Sequence, residues 1–283
     1  MVKFAASTWL WTSPFQKDSL HLLKKVKEMG FEAVEIPVEY PELIEVSETK
    51  RLLDDLELEV VVCGAFGPSR DLTHEDSSVH ENCFQYIREC FDICNAWEAD
   101  FLVGPMYAAV GKARMLSPDE RKKEWELAVK NLRKVCEMAG KQGLSIAIEP
   151  LNRFETDLVN TAEDVMRLLK DINHASAKVI LDSFHMSIEE RNLKAAFETV
   201  GDQLIHVQVS ENYRGTPGTG LTPWEDLRDG INSIGYEGVV SIESFTPELK
   251  ELAGAVCFWK PMAESQDAFA TDGLVFLQNL FKT

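Results

Sequence analysis

Short, β-branched apolar runs alternate with longer amphipathic stretches along the whole chain. The runs predict strands over residues 4–10, 33–37, 59–64, 101–104, 145–149, 178–182, 204–209 and 239–243. Between them lie helical patterns. LHLLKKVKEMG repeats apolar residues at i, i+3/i+4 and stops at Gly30, a residue suited to the left-handed position after a helix. ERKKEWELAVKNLRKVCEMAGKQG has a charged outer face and Gly143 at its end. The stretch opening at Thr161 carries a capping-box pattern, with Thr161 as N-cap and Asp164 three residues on, before VMRLL. Eight strand–helix repeats imply a parallel sheet with right-handed crossovers, and the count favours closure. The predicted fold is α/β: a single (β/α)8 TIM barrel spanning residues 1–283. No GxGxxG or Walker sequence follows the first run, which removes the main argument for a dinucleotide-binding alternative.

The polar residues that interrupt this pattern carry the chemistry. Glu149 in IAIEPLNRFET, Asp182 in KVILDSFHM, Gln208 in LIHVQVSEN and Glu243 in GVVSIESF each end an apolar run. They are 33, 26 and 35 residues apart (149→182, 182→208, 208→243), near the roughly 31 residues per repeat of an eightfold barrel. In such a barrel the strand ends converge on one rim. Three acids and an amide meeting there, partly buried, call for a cation. A lone acid at a strand end often caps the next helix; four in consecutive repeats are better read as a metal-ligand set. Two Glu, one Asp and an amide carbonyl suit a hard or borderline dication, Mn²⁺ first, with Mg²⁺ or Co²⁺ as alternatives. Glu149 and Glu243 come from different strands, so one carboxylate can remove a carbon-bound proton while the other returns one to the opposite face.

Composition narrows the class further. A net charge of −18 disfavours nucleic acid and anionic membranes as partners, and no apolar run is long enough to span a bilayer. The chain opens directly on a strand-like run with no secretory pattern, so a cytoplasmic location is expected. The six cysteines, at 63, 83, 90, 94, 136 and 257, form no Cys-x-x-Cys pair. Cys90 and Cys94 share a helical face, but all six read first as buried small apolar residues of a reduced protein.

In order along the chain, IEPLNRFET, LDSFHMSIEE, ENYRG with its Gly/Pro loop and PWEDL, and the final IESF resemble the xylose-isomerase-like sugar isomerase/epimerase barrels. They look most like the D-tagatose 3-epimerase/D-psicose 3-epimerase group, over essentially the full length. The resemblance implies divalent-metal-dependent epimerisation of a free ketose at C3 through a cis-enediolate. It makes Glu149 and Glu243 the acid/base pair and metal ligands, and Asp182 a ligand only. Glu155, His185 and Arg214 would hold the O1–O3 region of the sugar. Cys63 falls on a strand-3 pocket position, and Trp9, Trp11 and Phe15 would supply the apolar wall, with Phe258 and Trp259 as further wall candidates. The group's metal-binding histidine falls on Gln208, whose carbonyl still offers an oxygen. His206, two residues earlier, faces the same side but deeper, as a packing or supporting residue. Dimers or tetramers are expected by analogy with the family.

Plainer roles exist for several of these residues. His185 can cap a helix, Arg214 can be solvated, Glu155 can pair with Arg153, and the two tryptophans can be core. The four histidines at 21, 74, 80 and 174 are assigned no function. Rival activities on the same metal site are aldose–ketose or hydroxypyruvate-type isomerisation, and epimerisation or dehydration of a keto-inositol or 3-keto sugar. Endonuclease-type phosphodiester cleavage needs more histidines and a basic surface. A non-catalytic sugar-binding role would not need two acids placed about a metal.

Overall fold

The computed structural model describes residues 1–282. Eight parallel strands close into a barrel in sequence order: β1 Lys3–Ser7, β2 Ala33–Val38, β3 Glu59–Gly64, β4 Phe101–Gly104, β5 Ser145–Ile148, β6 Ala177–Asp182, β7 Leu204–Val209 and β8 Val239–Ile242. β8 pairs back on β1 through Phe4↔Val240 and its neighbours. Among the described residues ten α-helices surround it: α1 His21–Glu28, α2 Val46–Leu56, α3 Ser77–Trp97, α4 Pro118–Lys141, α5 Ala162–Ile172, α6 Ser183–Glu189, α7 Leu193–Val200, α8 Trp224–Ser233, α9 Lys250–Ala255 and α10 Gln266–Lys282. None is long and apolar enough to cross a membrane.

The period-2 alternation of a strand explains what faces where. Outward side chains such as Val34, Ile36, Val62, Leu102, Ile146 and Ile148 join the large core between strands and helices. Inward ones form a second, smaller cluster that includes Ala5, Ala33, Val61, Cys63, Val103, Ala147 and Ile180. Two residues beyond Ala147 comes Glu149, and two beyond Ile180 comes Asp182. The same phase carries His206 to Gln208 and Ser241 to Glu243. The polar cluster is therefore the top layer of the barrel interior, and the apolar cluster is the layer beneath it.

The helix ends match their predicted chemistry with one adjustment. Gly30 (φ 97°) and Gly143 (φ 75°) follow α1 and α4 in the left-handed region. Thr161 caps α5 through the Asp164 amide, but Asp164 returns its bond to the amide of Asn160 rather than to Thr161. The reciprocal box forms instead at Ser117 and Glu120, ahead of α4. Two expectations need correction. β1 ends at Ser7, where its ladder with β2 stops, and the chain curls into a 3-10 turn over Thr8–Leu10. Cys257 is exposed, unlike the other five cysteines, because it lies in the loop after α9 outside the packed layers.

Replacing Thr161 with Ala should remove the α5 cap at a cost of about 1 kcal/mol. For a chain of this size that lowers Tm by about 2 °C. An unchanged Tm would mean that solvent replaces the cap.

Candidate active site

The cavity at the C-terminal mouth of the barrel has a volume of about 530 Å³. Glu149, Glu155, His185, Arg214, Glu243, Cys63 and Trp9 all line it. Asp182 and Gln208 lie beneath this lining, 1% and 0% exposed. Two of the acids thus face the cavity directly, while the third acid and the amide support them from below.

Arg214 ties the acids together. Its Nη1 donates to Asp182 Oδ2 at 2.7 Å and to Glu243 Oε2 at 2.9 Å. The guanidinium is sandwiched near Phe184 (4.1 Å to the ring centre) and Phe245 (5.2 Å). The residue sits at φ 62°, a conformation uncommon for a side chain of this size. Two anchors hold it there. The Ser244 hydroxyl donates to the Arg214 carbonyl at 2.7 Å. Glu211 gathers the loop by accepting from the amides of Gly218 and Thr222 and from the Trp224 indole. Burial raises the Glu211 carboxyl, but the Trp224 and Thr222 hydrogen bonds outweigh it and hold it below the usual range.

His185 is a neutral, oriented donor. Burial first, and the Arg214 charge second, push its pKa well below the ordinary imidazole value. Its Nδ1 accepts from the Asn152 backbone amide at 3.1 Å and from the Asn152 side chain at 2.8 Å. With Nδ1 accepting, the neutral ring carries its proton on Nε2. That nitrogen faces Glu149 Oε1 at 3.5 Å and Asp182 Oδ2 at 3.7 Å, and the Arg214 Nη2 3.3 Å away, itself only a donor, is a contact and not a hydrogen bond to it. Asn152 also donates to Glu155 at 2.8 Å, so one amide positions two cavity residues. Asp182 does cap α6, with Oδ1 accepting from the Phe184 amide at 2.8 Å, yet its Oδ2 stays with the cluster. Arg153 pairs with Glu189 and leaves Glu155 to the cavity.

The electrostatics are lopsided. Burial drives the Glu149 carboxyl well above its ordinary pKa, with further push from Glu243 and Asp182. Burial likewise raises Glu243 and Asp182, against the opposing pull of Arg214. Ligand atoms of Glu149, Asp182 and His185 lie within 4.8 Å of one another. Gln208 Nε2 donates to Glu243 Oε1 and to Glu35 Oε1, both at 2.9 Å. Its Oε1 is buried with no partner among the described residues. Turning the amide over would set that oxygen against two carboxylates, so its orientation is chemically determined. Three crowded carboxylates with an orphaned carbonyl oxygen fit a hard divalent cation, and Glu149, Asp182, Gln208 and Glu243 are the residues that would hold it.

Not every expected wall residue reaches the cavity. Trp11 turns away: it follows a 3-10 turn rather than a strand, so it does not share a face with Trp9. Its indole donates to Asp267 of α10 at 2.7 Å, and it lies outside the cavity lining. Phe15 is in the core between strands and helices, and Trp259 is 71% exposed. Trp9, by contrast, packs on Phe245 with ring centres 5.7 Å apart, and Phe258 backs Phe245 at 6.1 Å. Leu249–Val256 and Gly64–Arg70 supply other parts of the wall. Cys63 lies in the cavity wall with its thiol pushed far up by burial and then by Glu35 and Glu243, which makes it an inert contact surface rather than a nucleophile. Glu35 on β2, completely buried and bonded to Gln208, went unremarked in the sequence. Its signal was a lone acid inside the apolar run AVEIPV.

A family described as xylose isomerase-like TIM barrel matches residues 23–268 of the chain. The chain is 30% identical over 283 residues to a probable ketose 3-epimerase of Synechocystis sp., covering 100% of this chain and 98% of that one. It is 27% identical over 264 residues to a D-psicose 3-epimerase of Ruminiclostridium cellulolyticum, covering 91% and 88% respectively. A solved D-allulose 3-epimerase from Methylomonas sp. superposes with a TM-score of 0.92 at 25% identity, over 99% of this chain and 98% of that one.

The raised carboxyls set a pH signature. In metal-free protein the folded state keeps protons that the unfolded chain releases. Stability is therefore lost as pH rises from the unfolded carboxylate pKa near ~4 towards the raised folded values. A dication favours the ionised forms and cancels that loss. Mn²⁺ should raise Tm more at pH 8 than at pH 5, measured by differential scanning calorimetry against an EDTA-treated control. An equal shift at both pH values would contradict the assignment of these carboxylates as ligands.

Proposed function

The chain belongs to the xylose isomerase-like TIM barrel family, and from that premise we propose that it is a divalent-metal-dependent epimerase inverting C3 of a free ketose. It is an enzyme of the isomerase class, and its curated relatives named above are ketose 3-epimerases. The observation that carries the mechanistic reading is the placement of Glu149 and Glu243. Both face the cavity, from strands three positions apart around the barrel, while Asp182 and Gln208 lie below.

Two carboxylates that approach a bound sugar from different sides can divide an inversion between them. One takes the C3 proton; the C–H electron pair moves into the C2–C3 bond and the carbonyl oxygen gains charge, giving an enediolate. The other carboxyl returns a proton to C3 from the opposite face, and the carbonyl re-forms. Burial raises both carboxyls in the metal-free site, and a bound dication would oppose that rise and favour the ionised form that acts as the base. Neutral His185, with its proton on Nε2, and Arg214 donate to the O1–O3 region, where the negative charge develops. Glu155, held by Asn152, orients a hydroxyl. Trp9 and Phe245 supply an apolar wall for the sugar's C–H face. A bound dication would supply charge neutralisation for the enediolate oxygens. Mn²⁺ suits this oxygen-rich set, with Mg²⁺ or Co²⁺ as alternatives.

The proposal predicts that Mn²⁺-loaded protein interconverts C3-epimeric ketoses in a panel of fructose, psicose, tagatose, sorbose, ribulose and xylulose, followed by chromatography. Glu149→Gln and Glu243→Gln should each lower turnover by at least ~10²–10⁴-fold while keeping the circular dichroism of the parent. Aldose products would move the enzyme to 1,2-isomerisation on the same site. Full activity in either variant would overturn the two-carboxylate division of labour.

A further inference from the structure

Beneath the two cavity carboxylates lies a buried polar chain that the mechanism above does not use. Glu35 on β2, with His206 and Gln208 on β7, is completely buried. His206 Nε2 meets Glu35 Oε2 at 2.7 Å, Gln208 Nε2 donates to Glu35 Oε1 at 2.9 Å, and Gln208 Nε2 also donates to Glu243 Oε1 at 2.9 Å. Both amide hydrogens of Gln208 are thus claimed by carboxylates, one on each side. No Lys or Arg pairs with Glu35 among the described residues. Replacing a buried polar cluster as a whole by apolar side chains of similar volume is often neutral or stabilising, so stability alone does not account for this chain of groups.

We propose that Glu35 is a positioning residue that acts through Gln208. Glu35 Oε1 and Glu243 Oε1 each accept from Gln208 Nε2, and this pair of bonds makes the Gln208 side chain present its NH₂ to the two carboxyl groups and its carbonyl oxygen elsewhere. That is the oxygen left without a partner. The second N–H simultaneously fixes the Oε1 edge of Glu243. His206 anchors the other oxygen of Glu35, so the carboxylate cannot swing away. A histidine in place of Gln208 would have a rigid ring and need no such orientation; a glutamine amide has two faces of opposite polarity, and one of them repels a cation. The inference rests on the proposed role of Gln208 as a metal ligand.

The test is Mn²⁺ affinity, read from the electron paramagnetic resonance signal of the free ion, in wild type, Glu35→Gln, Gln208→Ala and the double variant. The amide introduced by Glu35→Gln offers a donor as well as an acceptor, so the Gln208 amide can turn over. The expected result is a 10–100-fold loss of affinity in Glu35→Gln, with the metal-free Tm nearly unchanged and no further loss in the double variant relative to Gln208→Ala. If Glu35→Gln fails to fold, Glu35→Asp keeps a carboxyl group but withdraws its oxygens from Gln208 and should weaken Mn²⁺ in the same direction. Affinity that falls in Gln208→Ala but holds in both Glu35 variants overturns the inference and leaves Gln208 as a ligand. Affinity unmoved in Gln208→Ala removes the ligand reading itself, and the inference with it.

Discussion

Electrostatic crowding at one end of the barrel governs this structure. Glu149, Asp182 and Glu243 all lie in the upper interior layer with at most 6% exposure, and among the described residues Arg214 is the one arginine or lysine bonded to them. Removed from water, carboxylates at this spacing raise each other's pKa or require compensating charge. Arg214 and the hydrogen-bond donors of Gln208 supply part of that compensation. What is left over is a local demand for positive charge, directed at the cavity floor. The same imbalance that makes the site costly for folding would favour a bound dication, which is the basis of the proposed two-carboxylate proton transfer.

The remainder of the scaffold holds this unfavourable arrangement in place. Strand phase sets which side chains face inward, and the apolar layer of Ala5, Val61, Val103, Ala147 and Ile180 leaves the polar layer nowhere to sink. The loop after β7 is shaped by Glu211, whose accepted hydrogen bonds fix the turn that delivers Arg214 at φ 62°. Ser244, next to Glu243, ties that turn to the end of β8. Asn152 aligns His185 and Glu155 at once. Arg214, His185 and Glu155 are each positioned by a further hydrogen-bonded polar group, and that over-determination lets an uncommon backbone conformation persist at Arg214.

The barrel was legible because apolar runs on a closed parallel sheet are long and regular, and three of the eight strands keep their predicted bounds, Glu59–Gly64, Phe101–Gly104 and Leu204–Val209. The placement of Glu149, Asp182, Gln208 and Glu243 at strand ends followed from the same pattern. The resemblance put Trp11 on the cavity wall, but the strand predicted over residues 4–10 stops at Ser7 and gives way to a turn, whose geometry local sequence does not announce, that directs Trp11 elsewhere. Glu35 was missed for a different reason. Within AVEIPV it interrupts an apolar run without ending it, and its partners His206 and Gln208 lie 171 and 173 residues away. Only closure of the barrel brings β2 across the interior from β7. The pairing of Arg153 with Glu189, which frees Glu155, spans a shorter 36 residues but is likewise non-local.

The most direct test of a two-sided proton transfer at C3 is proton NMR of a ketose substrate in D₂O, with Mn²⁺-loaded enzyme and an EDTA-treated control. The account predicts metal-dependent deuterium at C3 of the product epimer, with the C1 protons retained. Deuterium at C1, or C3 inversion that carries no solvent deuterium, would contradict it.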